Sequence, residues 1–244
     1  MPGGSTTGGS TSGTSASGTS TPATLNGNYV FTESGPTANT LALLTFSASG
    51  TVSGTEIVQE TNPAVLYAVQ GTYTINPDNT GTLSLTGTSM VTDANGVPLT
   101  WDEKLTFLTS ANGNLATLRV GSNVNATGEI VPAAMAAAQG SYVLAGSAAD
   151  PALVRAGVFN LDGFGNLTGT EIANSFGIMN TLSVKGTYAG QAGALQTLNL
   201  TTTGTDSYGN MTTNSEKYAF LATQKDVRMI RLDSGAQGIV TLSQ

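Results

Sequence analysis

Gly54-Thr55-Glu56-Ile57 and Gly169-Thr170-Glu171-Ile172 are the same four residues, 115 positions apart. Each lies in a stretch where apolar and polar residues alternate, and each carries one glutamate at its centre. A glutamate repeated in this way is either a catalytic acid, one per site, or the mark of a building block used twice. The surrounding sequence decides for the building block. Gly27-Asn-Tyr29-Val-Phe31 recurs as Gly140-Ser-Tyr142-Val-Leu144, and Phe46 as Phe159. Gly71-Thr-Tyr73 recurs as Gly186-Thr-Tyr188, and Leu83-Ser-Leu85 as Leu198-Asn-Leu200. Glu103-Lys104 recurs as Glu216-Lys217, and Leu118-Arg119-Val120 as Ile230-Arg231-Leu232. The matches are collinear, with offsets between 112 and 115 that change only at turns. The chain is a tandem duplication of one unit of about 110 residues, a period that must be recognised before any fold is assigned.

Within each unit the hydrophobic period is two. Val69, Gly71, Tyr73 and Ile75 share one face of a strand, and Gln70, Thr72 and Thr74 the other. Leu83 and Leu85 alternate with Thr82, Ser84 and Thr86, and Leu105 and Phe107 continue the pattern. Such alternation predicts half-buried antiparallel strands. Asn76-Pro-Asp-Asn-Thr-Gly81, Asp93-Ala-Asn-Gly96 and Asp162-Gly-Phe-Gly-Asn166 supply the residues that tight hairpins require. Strands are expected near 27–33, 40–48, 51–60, 65–75, 80–91, 100–110, 114–121 and 126–131, and again in the second copy. The fold class is therefore all-β: two tandem antiparallel meander domains of about eight strands. A small closed barrel is the expected form, because eight strands close around an interior that side chains can fill. A pair of β-sandwiches is the alternative.

The domain boundaries follow composition. Residues 1–24 are almost entirely Gly, Ser, Thr, Ala and Pro and read as a flexible arm, unable to bury enough apolar area to order itself. The first β-domain is 25–132, the linker 133–139 and the second domain 140–244.

Composition also excludes functions. Of 244 residues only 9% are charged, so the polar surface falls to Thr and Ser, which number 61. The net charge of −7, with eight Lys and Arg in all, excludes nucleic acid as a partner. The chain has no cysteine and no histidine, which removes disulfides, thiolate sites, Ser-His-Asp triads and imidazole metal sites. No cofactor is expected. No apolar run is long enough for a transmembrane helix, and the first residues have no basic or apolar character of a signal peptide.

Four of the seven tyrosines follow a glycine by two residues: Gly27 and Tyr29, Gly71 and Tyr73, Gly140 and Tyr142, Gly186 and Tyr188. Residues two apart share a strand face, so each glycine leaves room for bending beside a ring that fills a barrel end. Stacking on a carbohydrate is the alternative role. The duplicated charges are Glu56 and Glu171, Glu103 and Glu216, Lys104 and Lys217, Arg119 and Arg231. If Glu56 faces the interior it needs a partner, since an isolated buried charge is very costly. Glu56 is then expected to pair with Arg119 or Lys104, and Glu171 with Arg231 or Lys217. Simple solvated surface is the competing expectation.

The Gly-x-Tyr and Gly-Thr-Glu pattern between Gly-rich hairpins resembles uncharacterised secreted or lipid-anchored bacterial tandem β-repeat proteins. The strand count also resembles the avidin and lipocalin barrels. Those families place several tryptophans around their ligand, whereas this chain has only Trp101. Two tandem β-domains, low in charge and rich in Thr, behind a flexible arm, fit a non-enzymatic extracellular or cell-surface protein. The expected role is structural or adhesive, with self-association through sheet edges or the N-terminal arm. A barrel that binds a small apolar ligand or a glycan is the alternative.

Overall fold

The computed structural model describes residues 24–60, 63–109, 114–120, 125–134, 136–147, 153–175, 177–189, 193–205, 208–233 and 238–244. The arm read at 1–24 lies, but for Thr24, outside the described residues.

Sixteen strands form two closed barrels. The first contains β1 (Gly27–Ser34), β2 (Asn39–Phe46), β3 (Thr51–Gln59), β4 (Val65–Ile75), β5 (Thr80–Thr92), β6 (Pro98–Thr109), β7 (Leu115–Val120) and β8 (Asn125–Pro132). The second contains β9 (Gln139–Ser147), β10 (Leu153–Asp162), β11 (Asn166–Ser175), β12 (Ile178–Ala189), β13 (Gln196–Thr205), β14 (Met211–Ala222), β15 (Asp226–Arg231) and β16 (Ile239–Ser243). Within each barrel every strand pairs antiparallel with the next in sequence. β1 also pairs with β8, and β9 with β16. That closure excludes the sandwich. It also corrects the expectation of association through sheet edges, because a closed barrel has no edge to offer.

The period of two becomes inside and outside. Phe31, Ala42, Leu44, Phe46, Val52, Val69, Leu83, Leu85, Leu105, Phe107 and Ile130 fill the first barrel. Tyr142, Leu144, Phe159, Leu161, Leu167, Val184, Leu198, Leu200 and Phe220 fill the second. Gly54 and Gly169 are interior positions where the neighbouring strand runs close. A Cβ on Gly54 would lie 2.0 Å from the carbonyl oxygen of Leu43, and one on Gly169 would lie 2.4 Å from that of Val158. The glycine of the repeated tetrapeptide is thus required by backbone approach.

One end of each barrel is capped by its own chain. In the first, Tyr29, Phe46 and Tyr73 meet edge to face, with centroids 5.2 and 5.1 Å apart. The Tyr73 hydroxyl shares its one proton between the carbonyl oxygens of Leu25 (2.8 Å) and Ser47 (3.0 Å). In the second, Tyr188 donates to Ala138 (3.2 Å) and Tyr142 to Gln139 (3.4 Å). Leu25 and Ala138, both buried, lie just before the first strand of their barrel and are drawn across its end. Gly27 and Gly140 make the turn from plug to strand at φ of 105° and 116°, a conformation that side chains resist.

The register corrects one sequence correspondence. Gly27 faces Phe46, and Gly140 faces Leu161; Tyr29 faces Leu44, and Tyr142 faces Phe159. Phe46 therefore corresponds to Leu161, and Phe159 to Leu44. The two added residues in copy two lie between Ser147 and Val154, where copy one runs from Ser34 to Asn39, so the shift occurs one hairpin earlier than the aromatic match implies.

The barrels lie side by side and share a third apolar cluster. Val30, Leu41, Ile57 and Val131 on the outside of the first barrel are buried against Ala219, Leu221 and Ile230 of the second, with Leu43, Leu232 and Ile239 around them. Each fully buried aliphatic side chain contributes on the order of 1.5–3 kcal/mol. Polar contacts frame the cluster. Gln59 donates to the Arg231 carbonyl (3.3 Å) and accepts from the Gly238 amide (3.2 Å), and Arg228 pairs with Glu129. Ala133 bridges to Thr223 at the capped ends, while Gln59 meets Arg231 at the other, so both barrels point the same way. Among the described residues no helix is long and apolar enough to cross a membrane.

Candidate functional site

The uncapped end of each barrel is polar. In the second barrel it is built around a residue that the duplication does not flag, Arg155. It lies on β10 in phase with Gly157, Phe159 and Leu161, so its side chain enters the interior. Its guanidinium donates to Glu171 through Nε and through Nη2 (2.9 Å), and to Glu216 through Nη1 (3.1 Å). Nη1 also lies 3.4 Å from the Tyr218 hydroxyl, which itself donates to Glu216 (2.9 Å). Arg231 enters from β15 and reaches Glu216 at 3.3 Å, while its Nε holds Asp233. Asn214 donates to Glu216 from above (3.3 Å). Glu171 and Glu216 are 1% and 6% exposed, so this is a buried ionic lattice.

The electrostatics follow from burial. Desolvation alone would lower the Arg155 guanidinium, but the Glu171 hydrogen bond, Tyr218 and the Glu216 charge outweigh it and hold it above the ordinary arginine range. Burial, followed by the Glu216 carboxylate, pushes the Tyr218 phenol well above its usual value. Above the lattice lies a hollow of about 180 Å³, lined by Arg155, Glu171, Leu182, Thr202, Asn214 and Glu216 among others.

Several sequence expectations are corrected here. Lys104 and Lys217 do not reach the glutamates. Each follows its glutamate directly, so it points to the opposite face and is exposed. Glu171 takes Arg155 as its cation, and Arg231 serves Glu216. Arg119 belongs to β7, but its side chain lies outside the described residues. Glu56 and Glu103 occupy the matching interior positions of the first barrel, at 0% and 6% exposure, joined there by Glu33 at 3%. The position of Arg155 is held by Thr40, because Thr40 precedes Ala42 as Arg155 precedes Gly157, and Ala42 and Gly157 face Glu56 and Glu171.

Arg155 escapes a search for duplicated charges because it has no counterpart. Parity could have found it, since an arginine two residues before Gly157 and four before Phe159 lies on the apolar face. The four Gly-x-Tyr tyrosines gather at the opposite, capped ends, where the Tyr73 hydroxyl and those of Tyr142 and Tyr188 are bonded to backbone carbonyls. Comparison with protein-family models, with curated proteins and with solved structures finds no match to this chain.

Proposed function

We propose that this chain is a non-enzymatic structural or adhesive protein of the cell surface or extracellular space. The observation that carries this reading is the filling of both barrels by their own side chains. Phe31, Leu44, Leu83, Leu85, Leu105 and Ile130 are each at most 2% exposed in the first, and Leu167 and Phe220 are 1% exposed in the second. The hollow over Arg155 is smaller than the roughly 300 Å³ at which small-molecule sites begin, and its floor is ionic. That argues against an apolar ligand in the mouth of the second barrel. The larger hollow of about 470 Å³ lies where the barrels meet and is lined by Glu33, Glu129 and Arg228, which suits an apolar ligand poorly. A glycan-cleaving acid pair needs open space between its carboxyl groups. Here one guanidinium stands between Glu171 and Glu216 and binds both. Low charge and abundant threonine agree with a surface exposed outside the cell.

The test is a screen of the purified chain against chromogenic glycosides and a fluorescent fatty-acid probe, with protease shaving of intact cells. Neither turnover nor saturable binding is expected, and shaving should release the chain. Saturable binding lost in a Thr202→Trp variant would restore the ligand-binding alternative.

A further inference from the structure

Duplication gives each barrel the same two outer faces, and the internal contact leaves most of one of each open. Of the first barrel's back face only the last strand, through Glu129 and Val131, takes part in it. The front face is the outside of the first three strands. In the first barrel it presents Val30 facing Leu43 and Leu41 facing Ile57. The back face is the outside of the last three strands. In the second barrel it presents Ala219, Leu221, Ile230 and Ile239. The contact between barrels joins the front of the first to the back of the second.

The register places the unused faces without ambiguity. On the second barrel Val143 faces Val158 and Ala156 faces Ile172, the same two pairs as Val30 with Leu43 and Leu41 with Ile57. Val143 and Ile172 are 50% and 43% exposed, whereas their counterparts Val30 and Ile57 are 0% and 4% exposed; Val158 is 50% exposed where Leu43 is half-buried. On the first barrel Leu108 and Leu118 occupy the places of Leu221 and Ile230. They are 59% and 45% exposed, against 1% and 0% for their counterparts. The molecule therefore ends in two apolar faces whose counterparts already pack against each other within the chain.

We propose that a second copy of this chain docks the back face of its first barrel onto the front face of the second barrel, repeating the internal contact between molecules. The two surfaces differ, so the contact is heterologous. Copies add head to tail into open filaments or rings and do not pair about a twofold axis. The intermolecular contact is weaker than the internal one. The polar frame of Gln59, Glu129 and Arg228 is replaced by Asn174, Thr241 and Ala116, Ala219 by Thr106 and Ile239 by Thr127. It also lacks the linker, which supplies an effective concentration on the order of millimolar. Assembly is thus reversible and depends on concentration. This inference deepens the structural reading above, and the two fail separately: a chain that stays monomeric sinks only the assembly, and ligand turnover sinks only the structural role.

Sedimentation velocity on the full chain over increasing concentration tests it, with Val158→Asp blocking the front face and Leu118→Asp blocking the back. Both residues are exposed, so an unchanged thermal melt is expected. The wild type should grow through a ladder of species, and each variant alone should remain monomeric. Mixed together, the variants should give a discrete dimer, because each retains the face the other lacks. A wild type that stays monomeric throughout overturns the proposal. So does growth that survives both substitutions, or a dimer formed by one variant alone.

Discussion

The two polar ends place their glutamates alike and supply one cation differently. Glu56 and Glu171 occupy matching places on the third strand of each barrel, and Glu103 and Glu216 matching places on the sixth. Yet Thr40 stands where the second barrel places Arg155, and Leu105 where it places Tyr218. Duplication preserved the acids more faithfully than the groups around them. A buried carboxylate is tied to the strand geometry that hides it, whereas a long guanidinium can reach the same point from several strands.

The largest expected effect tests this difference directly. Arg155→Met should cost about 3–5 kcal/mol, because it leaves Glu171 and Glu216 buried without their shared cation. Denaturant unfolding should then show the second barrel melting first, and Thr40→Val in the first barrel should cost far less. Next, Gly54→Ala and Gly169→Ala should each cost about 1–3 kcal/mol through overpacking. The first should be the worse, since its added methyl lies nearer the opposing carbonyl. The capped ends make a gentler comparison. Tyr73→Phe should cost about 1 kcal/mol and Tyr188→Phe somewhat less, because the Tyr73 hydrogen bond is shorter and buried (2.8 Å) and that of Tyr188 longer and half-buried (3.2 Å).

The smallest effect appears only in alkali. The Tyr218 phenol is raised in the folded state above its ordinary value of 10.0. Its contribution is intact below pH 10 and is lost as pH rises further, because the unfolded chain releases that proton while the folded chain retains it. Urea titrations from pH 9 upward should show this loss, and Tyr218→Leu, which copies the first barrel, should flatten it.

Much of the fold is legible in the sequence because a barrel wall has only two sides. Alternation at Val69–Ile75 and Leu83–Leu85, punctuated by Asn and Gly turns, already specifies strands, hairpins and an interior. Asp93 and Asp162 show how directly the turns are written. Each uses one carboxylate oxygen to accept two backbone amides of its own hairpin, from Asn95 and Val97 or from Phe164 and Asn166. What the alternation cannot reveal is burial from outside. β1 and β2 are buried on both faces because the second barrel covers Val30 and Leu41, and nothing local to those residues names their cover. The site was legible in its acids and not in Arg155, since a search for repeated charges passes over a charge that occurs once.

The capped ends have a topographic consequence. Leu25 enters beneath Tyr73 at the base of the first barrel, and Gln244 bonds to Lys225 and Gln139 at the base of the second. Both described ends of the polypeptide therefore leave from one side of the molecule. Whatever grips the protein by either end suspends it from that side, with its two glutamate-bearing rims facing outward together.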